Sequence, residues 1–183
     1  MKPGAGKQKG SNFEREVAAE LSKWISKTRT DLFRRTVLSG GQFTQSKNAR
    51  GEPGDLGPND PKAFPFISRF VVECKHWAYL ELIDVIWKNH ELYSALLKVQ
   101  KEAKDANKEW MLIARQNRRP TLLFLPVKAV TPSAYNQVDW HALFNGTIYV
   151  FKFADYLAQV PPSEVIPEYK VKIERLKLPP CTS

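Results

Sequence analysis

The sequence predicts an α/β protein: a single domain built on a central mixed β-sheet flanked by helices. Three observations predict it. A long amphipathic stretch follows the N-terminus, short β-branched and aromatic runs follow that stretch, and a second long helical pattern separates those runs from later ones. A chain of 183 residues is long enough for one compact domain with its own core. The expected division is a flexible basic N-terminus over 1–10, a folded domain over 11–160, and a Pro-flanked tail over 161–183.

The first helix is predicted over 11–27. Ser11 followed by Glu14 spells a capping box. Phe13, Val17, Leu21, Trp24 and Ile25 recur at helical spacing and form an apolar stripe. Residues 32–38 read as a strand stopped by Gly40-Gly41. The stretch 41–66 is polar and rich in Gly and Pro, so it reads as loops around a short strand near Asp55. One of those loops contains Pro58, Pro61 and Pro65. Phe70-Val71-Val72-Glu73-Cys74-Lys75-His76-Trp77 reads as a buried strand.

The pattern from Glu81 to Arg115 is helical, divisible into two helices near Asn89. Leu92, Leu96, Val99, Ala103, Ala106, Trp110 and Ile113 recur at three and four residues. Strands are predicted over 121–126 and 147–153, and a short helix over 154–160. Alternation from Tyr169 to Leu178 suggests an added edge strand.

Side chains alternate along a strand, so Glu73 and Lys75 share one face while Val72 and Cys74 share the other. A carboxylate and an ammonium are thus held side by side on a rigid element, with Asp55 upstream in Gly54-Asp55-Leu56-Gly57. That layout can bind a divalent metal and place a water beside it, which suggests a metal-dependent nuclease. Asp60 competes with Asp55, but Asn59-Asp60-Pro61 is turn chemistry. Glu14 projects between Leu21 and Ile25, inside the apolar stripe, whereas Glu16 falls outside it. An inward carboxylate needs a partner. Either the backbone of Ser11 or a metal site could supply one.

Formal net charge is +9. Basic residues cluster at Lys2, Lys7 and Lys9, at Arg34 and Arg35, at Lys47 and Arg50, and at Arg115, Arg118 and Arg119. A polyanion is the natural partner, and nucleic acid fits that description. No apolar run is long enough to span a bilayer, and the N-terminus lacks the apolar core of a secretory signal. With only Cys74 and Cys181, no disulfide framework and no zinc-ligand spacing exist. An intracellular, cytoplasmic location without membrane contact is expected.

Lys9-Gly10-Ser11-Asn12-Phe13-Glu14-Arg15-Glu16, then Arg35, Ser39-Gly40, Gly54-Asp55-Leu56 and Glu73-Cys74-Lys75 occur in that order. This series resembles the PD-(D/E)xK nuclease superfamily, and within it the archaeal-type Holliday junction resolvases that some phages also carry. The resemblance covers roughly residues 9–126. It implies a restriction-endonuclease-like fold and a catalytic set of Glu14, Asp55, Glu73 and Lys75. It implies Mg²⁺, replaceable by Mn²⁺, on Asp55, Glu73 and the main-chain carbonyl of Cys74, with Glu14 acting through a water or on a second metal. Lys75 would orient the attacking water or help deprotonate it. DNA contacts are expected from Lys9, Arg15, Arg34, Arg35, Ser39, Gln42, Lys47 and Arg50. Gln100, at the margin of the long helix's stripe, is either a further site residue or a surface one.

The implied function is Mg²⁺-dependent cleavage of branched DNA, four-way junctions above all, by a homodimer that cuts two opposing strands. The rivals are another nuclease of the superfamily, of restriction or repair type, and a non-catalytic DNA-binding protein on the same fold. Two departures bear on substrate choice: a longer stretch between Ser39 and Asp55, and 57 residues after Pro126 that the resemblance leaves unaccounted for.

Overall fold

A computed structural model describes residues 5–36, 52–79, 91–139 and 141–169. Helix α1 (Ala5–Ser26) leads into strand β1 (Phe33–Arg35), which pairs antiparallel with β2 (Leu56–Pro58). A 3-10 turn (Pro61–Ala63) and helix α2 (Phe64–Arg69) then deliver β3 (Phe70–Trp77). Helix α3 (Glu91–Asp105) crosses to β4 (Glu109–Gln116), which pairs parallel with β3. The chain continues through β5 (Leu122–Pro126), a 3-10 turn (Val127–Ala129), α4 (Pro132–Gln137), β6 (His141–Phe144) and β7 (Ile148–Lys152). Helices α5 (Phe153–Gln159) and α6 (Pro162–Val165) close the described chain.

The main sheet has the order β3-β4-β5-β7-β6, parallel at β3/β4 and antiparallel elsewhere. This is the mixed sheet with flanking helices that the sequence predicts. Each face carries its own core. Phe13, Val17, Leu21 and Trp24 of α1 pack with Val72, Cys74, Met111, Ile113 and Phe151. Leu92, Leu96, Val99 and Ala103 of α3 pack with Val71, Trp110, Leu112 and Phe124 on the other face. Strand alternation sorts the two sets, with β3 sending Val71 one way and Val72 the other.

Four features differ from the sequence-based expectation. Helix α1 begins at Ala5, so Ser11 lies inside it and no capping box forms. Ala, Lys and Gln are good helix formers, and a mid-helix Gly10 costs only about 1 kcal/mol. Packing of the first turns extends the helix: Lys9 Nζ donates to the Trp77 carbonyl at 3.4 Å.

The long helical pattern ends at Asp105, and Asn107 turns the chain at φ 53°. Residues 109–116 form β4 instead of a helix. Trp110, Met111, Leu112, Ile113 and Ala114 are all buried, as an interior strand covered on both faces requires. The apparent 3–4 spacing of Ala106, Trp110 and Ile113 is a by-product of that continuous apolar run.

The Pro-rich stretch after Asp60 is helical, not loop. Pro61 and Pro65 stand in the first turns of their helices, where proline's missing N–H costs nothing. Finally, α4 and β6 have no counterpart in the sequence-based expectation. Predicted strand residues 37 and 38, the helical expectation over 81–90, and the edge strand beyond Tyr169 lie outside the described residues.

No helix among the described residues is long and apolar enough to cross a membrane.

Candidate active site at the edge of strand β3

Strand β3 forms one margin of the main sheet, and the segment 54–55 runs against its free side. The Asp55 N–H donates to the Val72 carbonyl at 2.7 Å. The Thr36 N–H donates to the Asp55 carbonyl at 2.9 Å, and the Thr36 hydroxyl to the Gly54 carbonyl at 2.7 Å. Ser22 anchors the start of β1 to α1, because its hydroxyl accepts from the Leu32 N–H at 3.0 Å and the Phe33 N–H at 3.3 Å. Asp55 is therefore fixed by backbone bonds from both neighbouring elements before its side chain is considered.

Gly54 makes this approach possible. It sits at φ 82°, and a Cβ there would lie 2.6 Å from the Val72 carbonyl oxygen. Gly54→Ala should therefore push 54–55 off β3. The expected result is a loss of roughly 2 kcal/mol or more in denaturant unfolding, from the left-handed strain together with the clash. Cleavage should fall alongside it, because Asp55 moves.

The Asp55 carboxylate accepts from the Cys74 N–H at 2.8 Å. Glu73 is completely buried, yet both its oxygens are held by ammonium groups. Lys75 Nζ lies 2.5 Å from Oε1, and Lys98 Nζ lies 2.8 and 2.9 Å from Oε1 and Oε2. Glu14, on α1, forms an ion pair with Arg35 of β1. The side chain of Glu14 turns to Arg35 and not back to Ser11, which disposes of the capping alternative.

Burial, reinforced by the negative charge of Glu73, pushes the Asp55 carboxyl up to about 7, against the Cys74 N–H and Lys75. Glu14 adds a smaller push in the same direction. Cys74 is buried as a thiol, and burial raises its pKa. Burial alone would lower Lys98, but the charge and hydrogen bond of Glu73 outweigh it and raise it. Burial likewise raises Glu102, which lies 3.7 Å from Lys98 one turn along α3.

The structure thus brings Glu14, Asp55, Glu73 and Lys75 to one sheet edge. Asp60 is elsewhere: it pairs with Arg29 and accepts from the Lys62 N–H, which is the turn role its neighbours suggest. Of the expected DNA contacts, Arg35 is engaged by Glu14 and Lys9 by the Trp77 carbonyl. Arg34 pairs with Glu52 at 3.0 Å, and Arg15 donates to Asn12 at 3.0 Å, both on exposed surface. Ser39, Gln42, Lys47 and Arg50 lie outside the described residues.

Sequence reasoning missed Lys98 and Glu102, and looked to Gln100 instead. The signal was present. On the α3 projection Glu102 falls roughly 20° from Ala95, at the edge of the buried stripe, the same anomaly that marked Glu14.

Among the described residues no three acidic, His or Cys side chains form a ready metal cage. The donors at the β3 edge are nonetheless all oxygen, and two of them are buried carboxylates that repel one another. Such a set suits a hard divalent cation, whose charge would relieve that repulsion.

The family model described as "Phage putative PDDEXK endonuclease" matches residues 5–160. The chain belongs to this family. It is accordingly a nuclease of the PD-(D/E)xK type, and its mixed sheet with flanking helices fits that assignment. Among solved structures, Hjc, a Holliday junction resolvase from the archaeal hyperthermophile Archaeoglobus fulgidus, aligns over 87% of this chain and 96% of its own. The identity is 13% and the TM-score 0.37. A search of curated proteins finds no match.

Proposed function

We propose that this PD-(D/E)xK chain is a Mg²⁺-dependent, structure-selective endonuclease that cuts four-way DNA junctions by phosphodiester hydrolysis inside the cell. The observation that carries the reading is the meeting of Asp55, Glu73 and Lys75 at the β3 edge, with Glu14 and Arg35 beside them. Glu73-Cys74-Lys75 supplies the (D/E)xK part of the pattern, and Gly54-Asp55 stands where the family name has Pro-Asp.

Asp55 and Glu73, with the Cys74 carbonyl, would hold the cation. When bound, it offsets charge on the scissile phosphate and makes water a better nucleophile. Glu73 pairs with Lys75 at the β3 edge, where the lysine would orient the attacking water. Arg35 is held by Glu14 close to the same edge and would meet a phosphate oxygen. The remaining basic surface, Lys9, Arg15 and Arg34 with Ser39, Gln42, Lys47 and Arg50, would bind the DNA backbone; phosphate contacts position a duplex without reading its bases.

The helix face provides a test. Glu14→Ala should slow single-turnover cleavage by roughly 100-fold, the size of effect seen when one preorganised electrostatic group is removed. Glu16→Ala should cost less than about threefold, because Glu16 pairs outward with Arg115 at 2.7 Å. Equal losses would remove Glu14 from the site.

Symmetrical cutting of a junction needs two active sites, so the protein is expected to be a twofold homodimer. Sedimentation of the free protein should give a species near twice 21.0 kDa. Junction affinity should fall steeply with salt as Lys and Arg release counterions from the DNA. A monomer that stays monomeric on a junction would point instead to a nuclease that cuts one strand at a time.

A further inference from the structure

Glu73 carries more positive charge than the proposed chemistry needs. Lys75 takes Oε1, while Lys98 bridges Oε1 and Oε2, so both oxygens already face an ammonium group. A divalent cation on Glu73 would compete with these ammonium groups for the same oxygens, and their positive charges would oppose it. Lys75 projects from the same strand two residues on. Lys98 comes from a different element, α3, and has a second carboxylate already in reach: Glu102 Oε1 lies 3.7 Å from its Nζ.

Glu102 is unusual in its own right. Its side chain is largely buried, and its Oε2 has no hydrogen-bond partner among the described residues. A buried, unsatisfied carboxylate oxygen is costly and calls for an explanation. Here it lies on the carboxylate whose other oxygen already faces Lys98. A side-chain rotation of Lys98 would complete Glu102 and uncover Glu73, with no movement of the backbone.

We propose that Lys98 is a built-in counter-ion that holds Glu73 in the metal-free protein and passes to Glu102 when a divalent cation takes Glu73. Lys98 and Glu102 are positioning residues, and the inference rests on the reading of Asp55 and Glu73 as the cation site. The arrangement keeps a fully buried carboxylate paired and correctly aimed before the cation arrives. It also gives the displaced, half-buried ammonium a second carboxylate to pair with.

The test is Mn²⁺ affinity of the full chain, measured by titration calorimetry without DNA, in wild type, Lys98→Met, Glu102→Gln and the double variant. Lys98→Met should bind Mn²⁺ roughly tenfold more tightly, because a competing charge at hydrogen-bonding distance is gone. Glu102→Gln should bind roughly tenfold more weakly, because Lys98 then has no second carboxylate to receive it. The deciding quantity is the double variant. It should match Lys98→Met within about twofold, since Glu102 acts only through Lys98. If the Glu102→Gln loss persists undiminished without Lys98, Glu102 acts on the cation directly and the hand-off is wrong. The hand-off is equally wrong if Lys98→Met binds no more tightly than wild type. Should Lys98→Met fail to fold by circular dichroism, Glu102→Gln decides alone, and unchanged affinity overturns the proposal. If Asp55→Asn binds Mn²⁺ as well as wild type, the cation site itself is misplaced and the hand-off falls with it.

Discussion

Asp55→Asn and Glu73→Gln should each reduce cleavage at least about 1000-fold, the loss expected when several kcal/mol of transition-state charge stabilisation is removed. Junction affinity should change by no more than a few-fold, because the proposed phosphate contacts lie with the basic surface and not with these two buried carboxylates. Single-turnover rates together with gel-shift affinities separate the two effects. Both variants keep the side chain's shape, so Asn at position 55 can still accept from the Cys74 N–H. Either variant cutting at the wild-type rate would place the active site elsewhere.

Without divalent cations, Asp55 should make the protein less stable as pH rises from about 4 to about 7. The direction follows from its raised pKa. The folded carboxyl holds its proton up to about 7, whereas the unfolded one releases it near the ordinary Asp value of about 3.9. Between those values the folded state binds more protons, so stability declines as pH rises and the full cost is present above 7. The gap of about three units sets a ceiling of roughly 4 kcal/mol; about 2 kcal/mol is a realistic expectation once the site relaxes around the charge. Other groups titrate over the same range, so the informative quantity is the difference between wild type and Asp55→Asn. In EDTA, Asp55→Asn should be the more stable at pH 8, and the two should converge near pH 4. Mg²⁺ should raise the melting temperature of wild type at pH 8 and leave Asp55→Asn unchanged. Parallel melting curves across the whole range would show that Asp55 is not held in this strained state.

Much of this site was legible in the sequence because strands and helices impose simple periods. Alternation along β3 predicted that Glu73 and Lys75 share a face, and Lys75 does pair with Glu73. The projection of α1 singled out Glu14 as an inward carboxylate, and of the two partners the sequence left open, the capping box at Ser11 does not form. Local pattern could not show that Arg35, from a different element, would be the partner. It also misassigned 109–115, where an apolar run in a strand buried on both faces imitates helical spacing. That error hid the parallel pairing of β3 with β4, which makes β3 the sheet's margin and frees its other side for Asp55. Lys98 escaped notice because a lysine at the rim of a helical stripe looks ordinary until the helix is docked over Glu73.

Everything proposed for this protein depends on the β3 edge hydrolysing branched DNA with the help of a divalent cation. That is checked by incubating the full chain with end-labelled four-way junction, flap and linear duplex, in Mg²⁺ and in EDTA, and mapping the products strand by strand. Paired nicks on opposing strands of the junction are expected in Mg²⁺, with little cutting of linear duplex. No substrate should be cut in EDTA or by Glu73→Gln. Linear duplex cut as fast as the junction would rule out structure selectivity, and cleavage that survives Glu73→Gln would rule out this active site.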